Sequence, residues 1–341
     1  MIYSASMVWA EYKNGYKMYY LIRQLIFLLL GFAAFFFVNK IDYHFYQKYK
    51  NHLLALALLL LVLVLIPGIG MVRGGARSWI GISQFSFQPS EVMKLALIIF
   101  TSNFLAKNKE SMDKFSSLIA ILLVLIIVFF LIMLEPDFGT GFIITLTILS
   151  MILLSGIKKR YVIIGLLLGI FAVLLLILSA PYRINRIFAY LDPWSDPLGA
   201  GFQGIQSLFA LSPHGIFGAG LLKSKQKYFY LPEPQTDFIF SIIVEELGLI
   251  GGIIVILLFF FLFYYGIMIS LQAKDLFGSY LAIGIVLSLF IQFFINIGVV
   301  IGLLPVTGVT LPFLSYGGSS LIINFIMMAI LSNIANNNEN K

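Results

Sequence analysis

The chain has 341 residues, of which 60% are hydrophobic and 11% charged, less than half the share of about 25% usual in soluble domains. That balance excludes a soluble enzyme and a disordered chain, and the lack of cysteine excludes disulfides, thiol catalysis and cysteine-ligated metal. The net charge of +7 is broken up by apolar runs, so no nucleic-acid-binding stripe is expected, and His44, His52 and His214 are too scattered for a zinc motif.

In chain order, residues 1–10 are too short to span a membrane and lack the charged n-region and apolar h-region of a signal peptide. They read as an interfacial stub or as the end of a helix begun upstream. Crossing roughly 30 Å of hydrocarbon takes about 20 mostly apolar residues. Runs of that kind occupy about 19–39, 52–70, 91–106, 116–134, 140–156, 161–180, 237–270, 279–301 and 316–335, which makes nine predicted spans. The run at 237–270 is long enough to tilt or to project from the bilayer. The alternation of a membrane β-barrel is absent. The predicted fold is an all-α polytopic integral membrane protein of about nine transmembrane helices.

Between the spans, the short loops at 40–51, 107–115, 157–160 and 271–278 carry lysine and arginine and fall on one side, which the positive-inside rule makes cytoplasmic. The other side carries comparable positive charge: Lys13, Lys17, Arg73, Arg77, Arg183, Arg186, Lys223, Lys225 and Lys227. Cations held on an outer face against the topology rule invite an anionic substrate as the explanation. The longest loop, about 181–236, is rich in Pro, Gly and aromatics, and its segment 204–211 is apolar enough to pack as a short helix or lie in the interface. No internal repeat and no paired broken helices of a transporter are evident.

Several stretches could carry chemistry. In Gly74–Trp79, Arg77 and Trp79 read as interfacial anchors or as the wall of a headgroup pocket. Pro89-Ser90-Glu91 starts a helix on which Glu91 and Lys94, three apart, share a face; they form a buried pair, or Lys94 lends charge to a cavity. Asp137, in Glu135-Pro-Asp-Phe-Gly-Thr-Gly141, caps the next helix or joins a polar outer site. Arg183 and Arg186 are one turn apart if helical. Arginine binds phosphate bidentately, and Lys223, Lys225 and Lys227 add point charges, so that together they resemble an anion site.

Asp237 stands where the long loop enters an apolar helix, a place that desolvates a carboxylate and improves it as a base. Alternatively, Thr236 or Asp237 caps that helix. Glu245 and Glu246 lie about 12 Å further along at about 1.5 Å per residue, and read as structural partners of which at most one could reach the Asp237 site. Pro305, Gly308 and Pro312 break the helix before Gly317-Gly-Ser-Ser320; non-helical backbone at that depth survives only packed on protein or lining a cavity. Asn296, inside a span, is expected to bond a neighbouring helix. Gly215 and Gly220 have P-loop spacing, but leucine stands at both positions where Lys and Ser/Thr belong. Carboxylates, cations and glycine-rich turns without a histidine base suit transfer chemistry on an anionic lipid better than triad hydrolysis.

The stretches FQPSEVMK, EPDFGTG, YFYLPEPQTDFIFSIIVEELG and GLLPVTGVTLPFLSYGGSS resemble the SEDS (shape, elongation, division, sporulation) family, its FtsW/SpoVE branch more than its RodA branch, over nearly the whole chain. The resemblance implies one SEDS-type transmembrane domain over 1–341 with a large extracytoplasmic loop at about 181–236. It also implies a multi-pass protein of the bacterial cytoplasmic membrane that polymerises lipid II on the outer face. Its partners would be lipid II, the growing lipid-linked glycan, a class B penicillin-binding protein supplying the transpeptidase, and other division proteins, with no nucleic acid. The family's essential aspartate falls on Asp237 and its polar cavity cluster on Glu91 and Lys94. Trp79, Arg77, Asp137, Arg183, Arg186, Lys223, Lys225, Lys227, Glu233 and Ser315 follow as substrate-binding candidates. No metal-ligand cluster is evident, although a divalent cation, Mg or Mn, could share the diphosphate charge. The family has ten spans, so the resemblance makes residues 1–6 the outer end of a first span. A lipid II flippase and a non-catalytic division scaffold are the competing functions.

Overall fold

The computed structural model describes the chain apart from residues 83–84, 112–115, 179–180, 213–214 and 340–341. Helices cover the predicted spans: α2 (Tyr19–Asn39), α3 (His44–Leu65), α4 (Pro89–Lys107), α5 (Ser116–Leu134), α6 (Phe138–Leu154), α7 (Lys159–Leu178), α10 (Ile239–Gln272), α11 (Leu276–Val300) and α12 (Gly318–Glu339). They are preceded by α1 (Ile2–Asn14), and α8 (Pro181–Leu191) and α9 (Phe202–Leu211) lie in the long loop. Among the described residues, α2, α3, α10, α11 and α12 are long and apolar enough to cross a membrane, and α5 and α6 are shorter apolar helices. The protein is a polytopic membrane protein, mostly helical.

The chain forms two compact units, each gathered from separate segments. One comprises Met1–Ile26, Val162–Phe261 and Gln292–Gly317; the other comprises Phe27–Tyr161, Leu262–Ile291 and Gly318–Lys341.

In the second unit α4 is the central element and packs on α3, α6 and α12. Its buried residues go all round the helix, from Met93 and Leu97 to Thr101 and Asn103, so polar groups on it must find partners within protein. This unit also holds a small antiparallel sheet: β1 (Gly70–Arg73), β2 (Ala76–Ile82) and β3 (Phe85–Phe87), in the order β1-β2-β3. Arg73 pairs with Ala76 across the two-residue loop Gly74-Gly75, whose φ values of 58° and 85° are those of a type I′ hairpin. A Gly-Gly pair between short apolar-polar runs was the available signal.

In the first unit the long run does not continue as one helix. At Gly248 (φ 68°, ψ −163°) α10 breaks. A Cβ there would stand 2.3 Å from both Gly218 N and Ile216 O, so glycine permits the loop backbone to close on the helix backbone. The groups the break frees are satisfied by that loop. Ala219 and Gly220 N–H donate to the Glu245 and Glu246 carbonyls (2.9 and 3.0 Å). Leu249 and Ile250 N–H donate to Gly215 and Ile216 (3.3 Å each). Irregular backbone within a spanning helix thus finds partners in protein. The same rule governs residues 301–317, which are non-helical and bury Val309, Leu311 and Ser315.

Candidate functional site

Asp237 lies two residues ahead of α10, half-buried, at the end of the long loop. Three consecutive carbonyls fix this stretch of backbone. Tyr316 N–H donates to Gln235 O (2.8 Å), Ser315 Oγ to Thr236 O, and Asn296 Nδ2 to Asp237 O (2.7 Å). Asn296 Nδ2 also donates to Val309 O (2.7 Å), and Gln24 Nε2 holds Ser315 O (3.2 Å). The 309–316 segment therefore sets the height and direction of Asp237. Asn296 departs from expectation: its donors go to carbonyls of loop residues, because those lie outside any helix and have no i+4 donor.

The Asp237 carboxylate accepts from Thr236 Oγ1 (2.6 Å). Burial pushes its pKa above the usual carboxylate range, with Glu233 adding to the rise and Thr236 and Arg186 opposing it. Arg186, on α8, is exposed and places Nη1 3.3 Å from Val306 O, while Tyr190 on the same helix donates to Leu303 O (3.0 Å). The side chain of Arg183 lies outside the described residues. Glu233 is exposed and pairs with Lys13 at 2.9 Å, a surface pair worth about 1 kcal/mol or less. Glu233 also holds φ at 44°, the left-handed region.

The three lysines divide. Lys223 and Lys225 are exposed. Lys227 is fully buried, and its ammonium bonds Glu246 Oε1 (3.0 Å) and Leu222 O (2.6 Å). Those contacts occupy its ammonium within the protein. A carboxylate at the depth of Glu246 needs a cation, and Lys227 supplies it. Glu245 accepts from Lys225 N–H (2.7 Å), Gln226 N–H (3.3 Å) and the Ser224 hydroxyl. Both glutamates are thus spent on tying the 222–227 segment to α10. Ser315 is likewise 4% exposed, with its hydroxyl proton directed to Thr236 O and its oxygen accepting from Leu311 N–H (2.8 Å). Both contacts of this hydroxyl go to backbone.

In the other unit, Glu91 and Lys94 form the expected pair at 2.7 Å, with side chains 7% and 2% exposed. Asp137 is the N-cap of α6, accepting from Thr140 N–H (3.2 Å), and also accepts from Gln88 Nε2 (2.7 Å). Burial raises its pKa, with Glu91 contributing in the same direction. Trp79 is half-buried on β2 with Arg73 stacked on it (5.4 Å), and Arg77 on the same strand donates Nη1 to Leu65 O (3.4 Å) and N–H to Glu135 O (3.1 Å). Glu135, which the sequence reading did not select, is fully buried with neither carboxylate oxygen hydrogen-bonded, and burial pushes its pKa up to about 8. Among the described residues no three His, Asp or Glu side chains converge as a metal site, so none is assigned to a divalent cation.

Fold and site together define a multi-pass membrane protein that presents a half-buried aspartate where a loop enters a spanning helix. The family profile described as cell cycle protein, FtsW/RodA/SpoVE, matches residues 1–340, and the chain belongs to that family. It is 50% identical to stage V sporulation protein E of Bacillus subtilis over 336 residues, covering 98% of this chain and 92% of that protein. It is 44% identical to a probable peptidoglycan glycosyltransferase FtsW of Geobacter metallireducens, covering 98% and 90%. Among solved structures, the fold matches Thermus thermophilus RodA with a TM-score of 0.70 at 26% identity, covering 100% of this chain and 95% of that one. It also matches, with a TM-score of 0.80 at 27% identity and coverage of 99% and 97%, a chain from a structure described as "Structural coordination of polymerization and crosslinking by a peptidoglycan synthase complex".

Proposed function

We propose that the protein is a peptidoglycan glycosyltransferase that polymerises lipid II in division or sporulation, with Asp237 as general base. The observation that carries this reading is the aspartate itself: half-buried, its carboxyl group poised above the ordinary range, and its backbone clamped by Tyr316, Ser315 and Asn296. The names of the FtsW and SpoVE relatives support the reaction and the setting. The synthase complex, described as joining polymerization to crosslinking, supports a transpeptidase partner, and the motif resemblance implies that it is of the class B penicillin-binding type. The lysines of residues 40–51, 107–115 and 157–160 support a cytoplasmic face for the short loops, and with it an outer face for Asp237.

The reaction is a single displacement. Asp237 takes the proton of the incoming sugar's 4-hydroxyl as its oxygen bonds the anomeric carbon of the growing chain. The bond to the lipid diphosphate breaks, and the diphosphate leaves with the electron pair. That leaving group needs charge stabilisation more than a proton, so one carboxylate suffices where a glycosidase needs two. Arg186 and Arg183 on α8, with Lys223 and Lys225, supply that charge; Lys227 does not. Trp79, Arg77, Asp137, Lys94 and Glu91 are proposed as contacts or shaping groups for the lipid-linked substrate on the strength of their matched motifs. Glu233 orients Asp237's surroundings through its charge.

The test is reconstitution into vesicles with labelled lipid II, with and without the transpeptidase partner, scored for polymer and for leaflet exchange. Polymer without exchange is expected; exchange without polymer makes the protein a flippase. Neutralising Arg183 and Arg186 together to Gln should lower kcat/KM for lipid II by about 10²-fold, two charge-assisted contacts at roughly 1.5 kcal/mol each, with an unchanged unfolding midpoint. Unaltered kinetics would reduce both to surface charges.

A further inference from the structure

Thr236 Oγ1 stands between two acceptors. It lies 2.6 Å from Asp237 Oδ1 and 2.7 Å from Glu233 O. A hydroxyl carries one proton and can donate to only one of them at a time. An ionised carboxylate is the stronger acceptor, so the proton points to Asp237 while Asp237 is charged. Once Asp237 has taken a proton, it becomes a donor, and the same oxygen can accept from it while the hydroxyl turns to Glu233 O.

We infer that Thr236 is a positioning residue for the transfer, a hydroxyl toggle that gives Asp237 a hydrogen-bond partner both before and after it receives the sugar proton. This deepens the reading of Asp237 as base and rests on it. No atom is gained or lost by the toggle. The proton leaving the sugar hydroxyl resides on Asp237, and the Thr236 proton stays on its own oxygen, changing only its acceptor. The Thr236 backbone is fixed independently, its carbonyl accepting from Ser315 and its N–H donating to Glu233 O (3.0 Å). The oxygen already reaches both acceptors, so only its O–H bond turns, over a fixed backbone. The Glu233 carbonyl is thus gathered by both the amide and the hydroxyl of the same residue. Among the described residues, the charged groups bearing on Asp237 are Glu233 and Arg186, with Lys13 behind Glu233; deletion of the hydroxyl leaves all three in place.

The sign of the effect follows. The Thr236 hydrogen bond holds the Asp237 carboxyl lower than burial alone would. A base works ionised, so losing that donor moves the acidic limb of kcat/KM to higher pH. Thr236→Val, of nearly the same shape, should shift the acidic limb of the lipid II polymerisation profile up by roughly one pH unit. Thr236→Ser should restore it. Thr236→Ala, which only removes atoms, serves as a second deletion should Val fail to fold and must move the limb in the same direction. Assays use the full chain in vesicles with its transpeptidase partner. A limb that stays in place in both deletions, or that Ser does not restore, overturns the toggle, because a merely structural role lowers the rate at every pH alike. Asp237→Asn separates the two ideas: an inactive Asn variant beside unmoved Thr236 profiles defeats the toggle alone, whereas an active Asn variant defeats the base.

Discussion

Asp237→Asn is expected to lower lipid II polymerisation by about 10³-fold, within the range of a positioned general base, and to leave the amount of folded protein in the membrane unchanged. The amide keeps the shape and can still accept from Thr236, but it cannot take a proton. Folding should survive because the anchors of this stretch are backbone carbonyls: Gln235, Thr236 and Asp237 accept from Tyr316, Ser315 and Asn296 whatever the side chain at position 237. The measurement is a purified polymerisation assay beside a thermal unfolding curve. Substantial polymer from the Asn variant would remove Asp237 from the base role, and an unfolded variant would place it among the structural residues.

The second large effect is on stability. Lys227→Met should cost about 3–5 kcal/mol, because Glu246 and Lys227 are both fully buried at 3.0 Å and removing one strands the other's charge. The Lys13–Glu233 pair, 41% and 53% exposed, has a similar length yet should cost less than about 1 kcal/mol when broken, since water takes the place of the lost partner. The double variant Lys227→Met with Glu246→Gln removes both charges and should recover much of the loss. Thermal unfolding midpoints in detergent for the single and double variants check this. A single variant as stable as the parent, or a double variant no better than the single, would show that the pair is not what fastens the 222–227 segment to α10.

How far the residues alone reached is visible in particular places. The spans were legible because twenty apolar residues in a row have few alternatives to a membrane helix. The Glu91–Lys94 pair was legible because its partners are three apart on one helix, and the Asp137 cap because a cap acts within one turn. The hairpin at Gly74-Gly75 was missed because its strands are short and partly apolar on both faces, so the alternation is weak. The partner of Lys227 was not legible because Glu246 lies 19 residues further along, on a different element. Thr236 was read as a possible cap; its second acceptor, Glu233 O, comes from a turn whose geometry no spacing rule specifies.

The sequence by itself determined the membrane-spanning class, the positions of the spans and the candidate aspartate at the mouth of the long helix, because each of these depends on local hydropathy or on a contiguous motif. Only the tertiary structure decided which cations are spent and which are exposed, and what holds the aspartate in place. Those outcomes depend on burial and on contacts between residues such as Asn296 and Asp237, Ser315 and Thr236, or Lys227 and Glu246, which are distant along the chain. In a low-dielectric interior such a charge or carbonyl must be satisfied by whatever the fold brings beside it.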